Sequence, residues 1–164
     1  NHWPSRIGGK FRSIGFRKKA ALTAYNIIDS ILTTSSKDHI MIMGDFNDDP
    51  TDESLTKILQ ALEPKKQPKQ SLINLYIDIH KNGVGTTVYK GVWNLFDQII
   101  ISNSLVGTKR SKNLKLKKFG IYKEPYLIQQ MGKYKGYPYR AFGGDNYIGG
   151  YSDHLPVYMI LEIK

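Results

Sequence analysis

His39-Ile40-Met41-Ile42-Met43-Gly44-Asp45-Phe46-Asn47-Asp48-Asp49-Pro50 is the stretch from which the architecture can be read. Residues 39–43 form a short apolar run of the kind a fully buried strand shows. Gly44 to Pro50 then reads as a sharp exit loop, and Thr51 or Asp52 could cap a helix that runs through Leu62 with Leu55, Ile58, Leu59 and Leu62 inward. If Met43–Asn47 stays extended, Asp45 and Asn47 share one side while Phe46 turns into the core. An Asp and an Asn at the carboxyl end of a strand stand where open α/β sheets build their sites. A carboxylate there can take a proton from water, and a neutral amide can orient that water without adding repulsion. Spacing alone favours a plainer reading, in which the two side chains cap the turn.

Upstream, Phe16, Ala20, Ala21, Ala24, Ile27, Ile28, Ile31 and Leu32 recur at helical spacing, which predicts a helix over about 13–33. Its first turns carry Arg17, Lys18 and Lys19, giving one apolar face and one basic end. Ser35 to Asp38 breaks it. Before it, Ser5-Arg6-Ile7-Gly8-Gly9-Lys10 reads as a basic glycine-rich loop after Pro4. Downstream, Lys65 to Lys69 is a polar connector, and 72–79 is ambiguous between helix and strand. Thr86–Tyr89 and Leu95–Ile101 read as two β-branched strands, Tyr134–Tyr151 as a Gly- and Tyr-dense loop, and Pro156–Ile163 as a final strand. With no internal repeat, the chain reads as one mixed α/β core.

The chain's 164 residues suit one domain or a large piece of one. Apolar residues make up 40% and aromatics 12%, enough for a buried core, which excludes global disorder. No apolar run nears the roughly 18–20 residues needed to span a bilayer. Cysteine is absent, so any metal must be held by Asp, Glu, Asn or His, and the compartment, cytoplasmic or exported, stays open. The formal charge of +10 points toward polyanions, or to nothing more than a lysine-rich soluble domain. Five of the 14 acids lie between Asp45 and Glu53, whereas Lys109 to Lys118 carries six bases and no acid. That basic run reads as an exposed hairpin or loop.

Three further groups could carry chemistry. In Ser152-Asp153-His154-Leu155-Pro156, a hard cation would take Asp153, and His154 could contact a phosphoryl oxygen; a simple turn fits equally well. Asp97 sits inside an apolar run, where a carboxylate needs a partner: either the ring of His154 or backbone amides at the strand end. His2 and Arg140 are isolated candidates.

Taken together and in order, Asn1-His2-Trp3-Pro4-Ser5, Gly44-Asp45-Phe46-Asn47, Phe96-Asp97-Gln98-Ile99-Ile100-Ile101-Ser102 and Ser152-Asp153-His154-Leu155-Pro156-Val157 closely resemble the endonuclease/exonuclease/phosphatase family. That superfamily holds DNase I, exonuclease III-type repair endonucleases, neutral sphingomyelinases and inositol polyphosphate 5-phosphatases. The opening motif and Gly44–Asp48 look most like Bacteroidetes-type members. The resemblance implies an α/β (α+β) fold, a four-layered sandwich of the DNase I-like type. It implies that Asp45 activates the attacking water, Asn47 assists at the phosphate, His154 and His2 contact the phosphate, Asp97 orients His154, and Asp153 serves the metal site. It implies Mg²⁺ or Mn²⁺ as cofactor, and nucleic acid or another phosphodiester as substrate, lipid or small phosphoesters using the same core.

In that family an Asn-bearing strand and the principal Mg²⁺-binding Glu precede the position of His2, and no acid here matches that Glu. Residues 1–164 therefore read as the C-terminal part of one such domain, with little hydrolysis expected of this stretch alone. An open sheet face would then invite association. A non-catalytic anion-binding module is the other reading of such a stretch.

Overall fold

The computed structural model describes residues 1–35, 39–64, 72–106 and 114–163. In chain order these form α1 (Lys10–Thr34), β1 (Met41–Asp45), a π-helical turn (Ser54–Ile58), β2 (Ala61–Leu62), β3 (Leu72–Asn74), α2 (Ile77–Lys81), β4 (Thr87–Tyr89) and β5 (Val92–Asn94). They continue with β6 (Asp97–Ser102), β7 (Leu114–Ile121), β8 (Phe142–Gly143), β9 (Asn146–Tyr147) and β10 (Val157–Ile163). The central sheet runs β1-β6-β3-β2, with β1 and β3 antiparallel to β6 and β2 parallel to β3. A second sheet pairs β10 with β7.

The alternation of β6 separates two cores. Ile100 faces α1, where Trp3, Ala21, Ile28, Phe46 and Leu59 gather. Ile99 and Ile101 face the other way, against Leu116, Phe119, Val157 and Met159 of the second sheet. Helix, four-stranded sheet and second sheet thus stack as successive layers of an α/β sandwich. The outer face of the second sheet, with Lys115, Lys118 and Ile160, is exposed, so the described residues supply three layers.

α1 matches its expected span, yet its inner face is narrower than the apolar pattern. Ser13, Arg17, Ala21 and Ile28 are buried, whereas Phe16 and Ile27 are exposed. Each of those two precedes a buried residue by one, about 100° round the helix. Arg17 therefore belongs to the core rather than to a solvated basic end. Its Nε stands 2.7 Å from Asp48 Oδ1, both side chains fully buried, and its Nη1 donates to Ser13 Oγ at 2.8 Å.

Other expectations need correcting. β1 is not fully buried: it is the outer strand, the second sheet packs over β6, and Met41 and Met43 are exposed. The helix expected to reach Leu62 ends at Ile58, because Gln60 turns left-handed at φ 58° and sends the chain into β2. The ambiguous segment is both a strand, β3, and a helix, α2. Val92–Asn94 forms an unforeseen strand paired with β4, and β6 begins at Asp97. Of the basic run, Lys115, Lys117 and Lys118 lie on β7 rather than in a loop, while Lys109, Arg110 and Lys112 fall outside the described residues. So do most of the break after α1 and the connector at 65–69.

Removing one partner of a buried ion pair leaves an uncompensated charge. Arg17→Met should therefore lower stability by about 3–5 kcal/mol, read from the urea midpoint with the slope unchanged. A midpoint that stays put would show that Asp48 does not depend on this pair.

Candidate active site

Asp45 ends β1, and the β1–β6 register places it directly across from Asp97 at the start of β6. Like charges facing across an antiparallel pair repel, so something must hold them there. The chain does so with the loop that follows. Asn47 N donates to Asp45 Oδ1 at 2.8 Å, and Phe46 N donates to Phe96 O at 2.9 Å. Phe46 is fully buried, its ring edge-on to Trp3 at 4.8 Å.

His2 arrives because residues 1–3 lie parallel against β1. Asn1 N donates to Met43 O at 2.7 Å, and Trp3 N donates to Asp45 O at 2.9 Å. Only glycine permits that approach at position 44: its φ is 137°, and a Cβ there would stand 1.9 Å from Asn1 O. His2 Nε2 comes to 3.6 Å from Asp45 Oδ2, with the His2 ring mostly exposed.

His154 reaches the same point from the loop before β10. Its Nδ1 lies 2.7 Å from Asp97 Oδ2. A carboxylate only accepts, so Nδ1–H donates and Nε2 is left to face outward. Of the two partners considered for Asp97, the imidazole is the one present. Thr86, fully buried and read from the sequence only as a strand residue, links the loop carrying His154 to the start of β6. Its carbonyl accepts from Leu155 N at 2.8 Å, and its hydroxyl accepts from Asp97 N at 3.3 Å.

The acidic stretch after Asp45 has a different task. One Arg6 nitrogen, Nη2, donates to Asp48 at 3.2 Å, Asp49 at 3.2 Å and Asp52 at 2.8 Å, and Arg6 Nε donates to Asn47 O at 2.8 Å. Ser54 Oγ donates to Asp48 Oδ2 at 2.6 Å, and Leu95 N donates to Asp49 Oδ1 at 2.8 Å. Arg6 also lies over the Phe96 ring at 4.4 Å. No pattern of spacing announced the Arg6 and Leu95 links, which join residues more than 40 apart.

Asn47 departs from the extended reading. It is buried at φ 50°, and its Nδ2 donates to Trp3 O at 2.9 Å, clamping the first residues to the loop. Asp153 is exposed, and Arg140 is exposed in the tyrosine-rich loop.

Burial pushes the Asp45 carboxyl above the usual range and the facing Asp97 adds to this, against the Asn47 N–H and the two histidines. Burial opposes charge on His154, but the Asp97 hydrogen bond and the charges of Asp97, Asp45 and Asp153 outweigh it, so His154 is also raised. Single donor atoms of Asp45, Asp97 and His154 lie within 4.8 Å of one another. Two facing carboxylates with an imidazole beside them form a group that could hold a divalent cation. Asp153 stands outside that group but close enough for its charge to reach His154.

Residues 1–163 match the model of the Endonuclease/Exonuclease/phosphatase family, and the chain belongs to that family. No curated protein and no solved structure matches it. No helix among the described residues is long and apolar enough to cross a membrane.

With its folded-state pKa raised, the His154–Asp97 pair contributes stability in full below the ordinary imidazole value of 6.5, and loses it as pH rises through the folded value. In metal-free protein the ring-proton shifts of His154 should titrate above 6.5, and Asp97→Asn should bring the midpoint down. A wild-type midpoint at or below the ordinary value would contradict the pairing.

Proposed function

We propose that this member of the endonuclease/exonuclease/phosphatase family is a divalent-metal-dependent phosphoesterase that hydrolyses phosphodiester bonds by in-line attack of water. The observation that carries the reading is the convergence of Asp45, Asp97 and His154 within 4.8 Å at one end of the central sheet, with His2 beside them. Two carboxylates with unlike partners are what such chemistry needs. Asp97 is committed to His154, whereas Asp45 is the carboxylate whose proton affinity burial has raised.

In this scheme Asp45 takes the proton of the attacking water as the water oxygen bonds to phosphorus. Asn47 holds the Asp45 carboxylate through its backbone N–H. The bond from phosphorus to the leaving oxygen breaks, and that oxygen takes its proton from solvent. His154, oriented by Asp97 and with its proton affinity raised by that carboxylate, offers Nε2–H to the phosphoryl oxygens as their charge grows when the ring is protonated, and His2 adds a second donor from the exposed side. With His154 engaged in this way, the donors left to hold Mg²⁺ or Mn²⁺ would be the carboxylates of Asp45 and Asp97, with Asp153 alongside. A cation bound there supplies Lewis-acid polarisation of the phosphoryl group.

The test is hydrolysis of bis-p-nitrophenyl phosphate and of plasmid DNA by the protein in its full natural length, with Mg²⁺ or Mn²⁺. Asp45→Ala and His154→Ala should each lower the rate by about 10²–10⁴-fold, and chelation should abolish it. Cleavage of the small ester alone would point to lipid or small-molecule phosphoesters. Undiminished rates in both variants, or no hydrolysis by the folded, metal-loaded protein, would sink the reading and leave an anion-binding module.

A further inference from the structure

Seven of the chain's 11 tyrosines lie between 122 and 151, the segment that leads into His154. They are not consumed by the core. Tyr151 is 65% exposed and Tyr147 71%, and Tyr126 and Tyr134 are more than half exposed. The rings form two short strings. Tyr126 stands edge-on to Tyr151 at 5.7 Å and donates from its hydroxyl to that of Tyr122 at 3.3 Å. Tyr137 meets Tyr134 at 5.9 Å and Trp93 at 6.1 Å.

Lysines are interleaved with them. Lys123 Nζ lies 5.1 Å from the Trp93 ring centre, and Lys133 Nζ 5.7 Å from that of Tyr134. Upstream, the exposed Lys115 and Lys118 of β7 run straight into Tyr122. Tyr122 N donates to Pro156 O at 2.7 Å, two residues past His154, and within the segment Tyr151 N donates to Tyr139 O at 2.7 Å. Gly150 allows the second bond, since a Cβ there would stand 2.3 Å from the carbonyl oxygens of Tyr139 and Arg140.

We propose that this tyrosine–lysine surface is a stacking platform for the bases of a single-stranded nucleic acid, delivering its backbone phosphate to His154. This rests on the phosphodiesterase reading for the cleavage step. Open aromatic faces recognise unpaired bases, and interleaved cations track phosphates. Paired bases keep their faces covered, so a duplex cannot use such rings. A bilayer fits less well. The β8–β9 hairpin carries Phe142 and Tyr147, but its tip, Gly144 and Asp145, is polar and charged. Tyr139 moreover spends its hydroxyl on Ile148 O at 2.5 Å instead of exposing a purely apolar ring.

Binding of labelled dT12, U12 and a 12-base-pair duplex, followed by fluorescence anisotropy in EDTA, tests the platform apart from any hydrolysis. Both single strands, or one of them, should bind more tightly than the duplex. Tyr126→Ala and Tyr151→Ala should each weaken binding by about tenfold, while Tyr126→Phe and Tyr151→Phe retain it. The Phe variants guard against misreading a folding defect. Added bases should quench Trp93 emission, a signal absent in Trp93→Phe. Equal affinity for the duplex, alanine variants that bind like the wild type, or binding lost equally with Phe would overturn the proposal. So would tyrosine-dependent binding to phosphatidylcholine/phosphatidylserine vesicles without binding to either oligonucleotide. Hydrolysis of bis-p-nitrophenyl phosphate without tyrosine-dependent binding would fail this inference alone. Tyrosine-dependent binding without hydrolysis would fail the phosphodiesterase reading alone.

Discussion

A guanidinium sealed inside the protein is the constraint on which the rest of the structure depends. Arg17 on α1 and Asp48 just past β1 are both fully buried and 2.7 Å apart. Neither could be there without the other, because an unpaired buried charge costs several kcal/mol. The pair therefore fixes the helix against the loop and sets where residues 44–52 run. Arg6 extends the arrangement by bonding Asp48, Asp49 and Asp52 at once. Four acids between 48 and 53 would otherwise repel one another and open the loop. Three of them are spent on this scaffold, and Glu53 on Lys18 and Lys57. Only Asp45, at the strand end, is left facing the site.

That division explains how two carboxylates can be held face to face. The β1–β6 register opposes Asp45 to Asp97, an arrangement that costs stability on its own. The cost is met by order elsewhere: the loop N–H of Asn47 on Asp45, the Thr86 hydroxyl behind Asp97, and the His154 ring across from it. What results is a pair of acids with different tasks. One is neutralised by a permanent partner. The other keeps a raised proton affinity and an open side toward His2. A cation bound between the two carboxylates would relieve the remaining repulsion.

Much of this was legible in the residues. α1, the strands around residues 41–45 and 97–102 and the final strand follow from periodicity and apolar runs, whereas the meeting of Asp97 with His154 is one of the two pairings the residues leave open and the one the family resemblance implies. The unread parts share a cause: they depend on contacts between residues distant in sequence. Arg17 looked like a surface charge because a helical pattern registers apolarity, not the buried acid 31 positions on that pays for it. Asn47 is read from its place two residues after Asp45 and from the family resemblance, neither of which could announce that its side-chain amide donates to Trp3 O, 44 positions back. The helix expected to reach Leu62 had the right apolar spacing, but Gln60 adopts a left-handed turn that lets Ala61 pair beside Leu72. Tertiary pairing overrode local propensity there.

The outer loops obey a different rule from the core, and this bears on how specificity is set. Between 122 and 151 the backbone is pinned by hydrogen bonds such as Gln129 N to Tyr137 O and Tyr139 N to Leu127 O, each 2.8 Å, while most large rings stay exposed. Rings that served only packing would have been buried, since each would gain roughly 1.5–3 kcal/mol by it. A frame pinned by backbone bonds that leaves its rings open in the segment leading into His154 fits the proposed recognition surface, in which little conformational freedom is lost on binding. On the proposed reading the strand ends carry the chemistry, and the loops select the molecule that is brought to it.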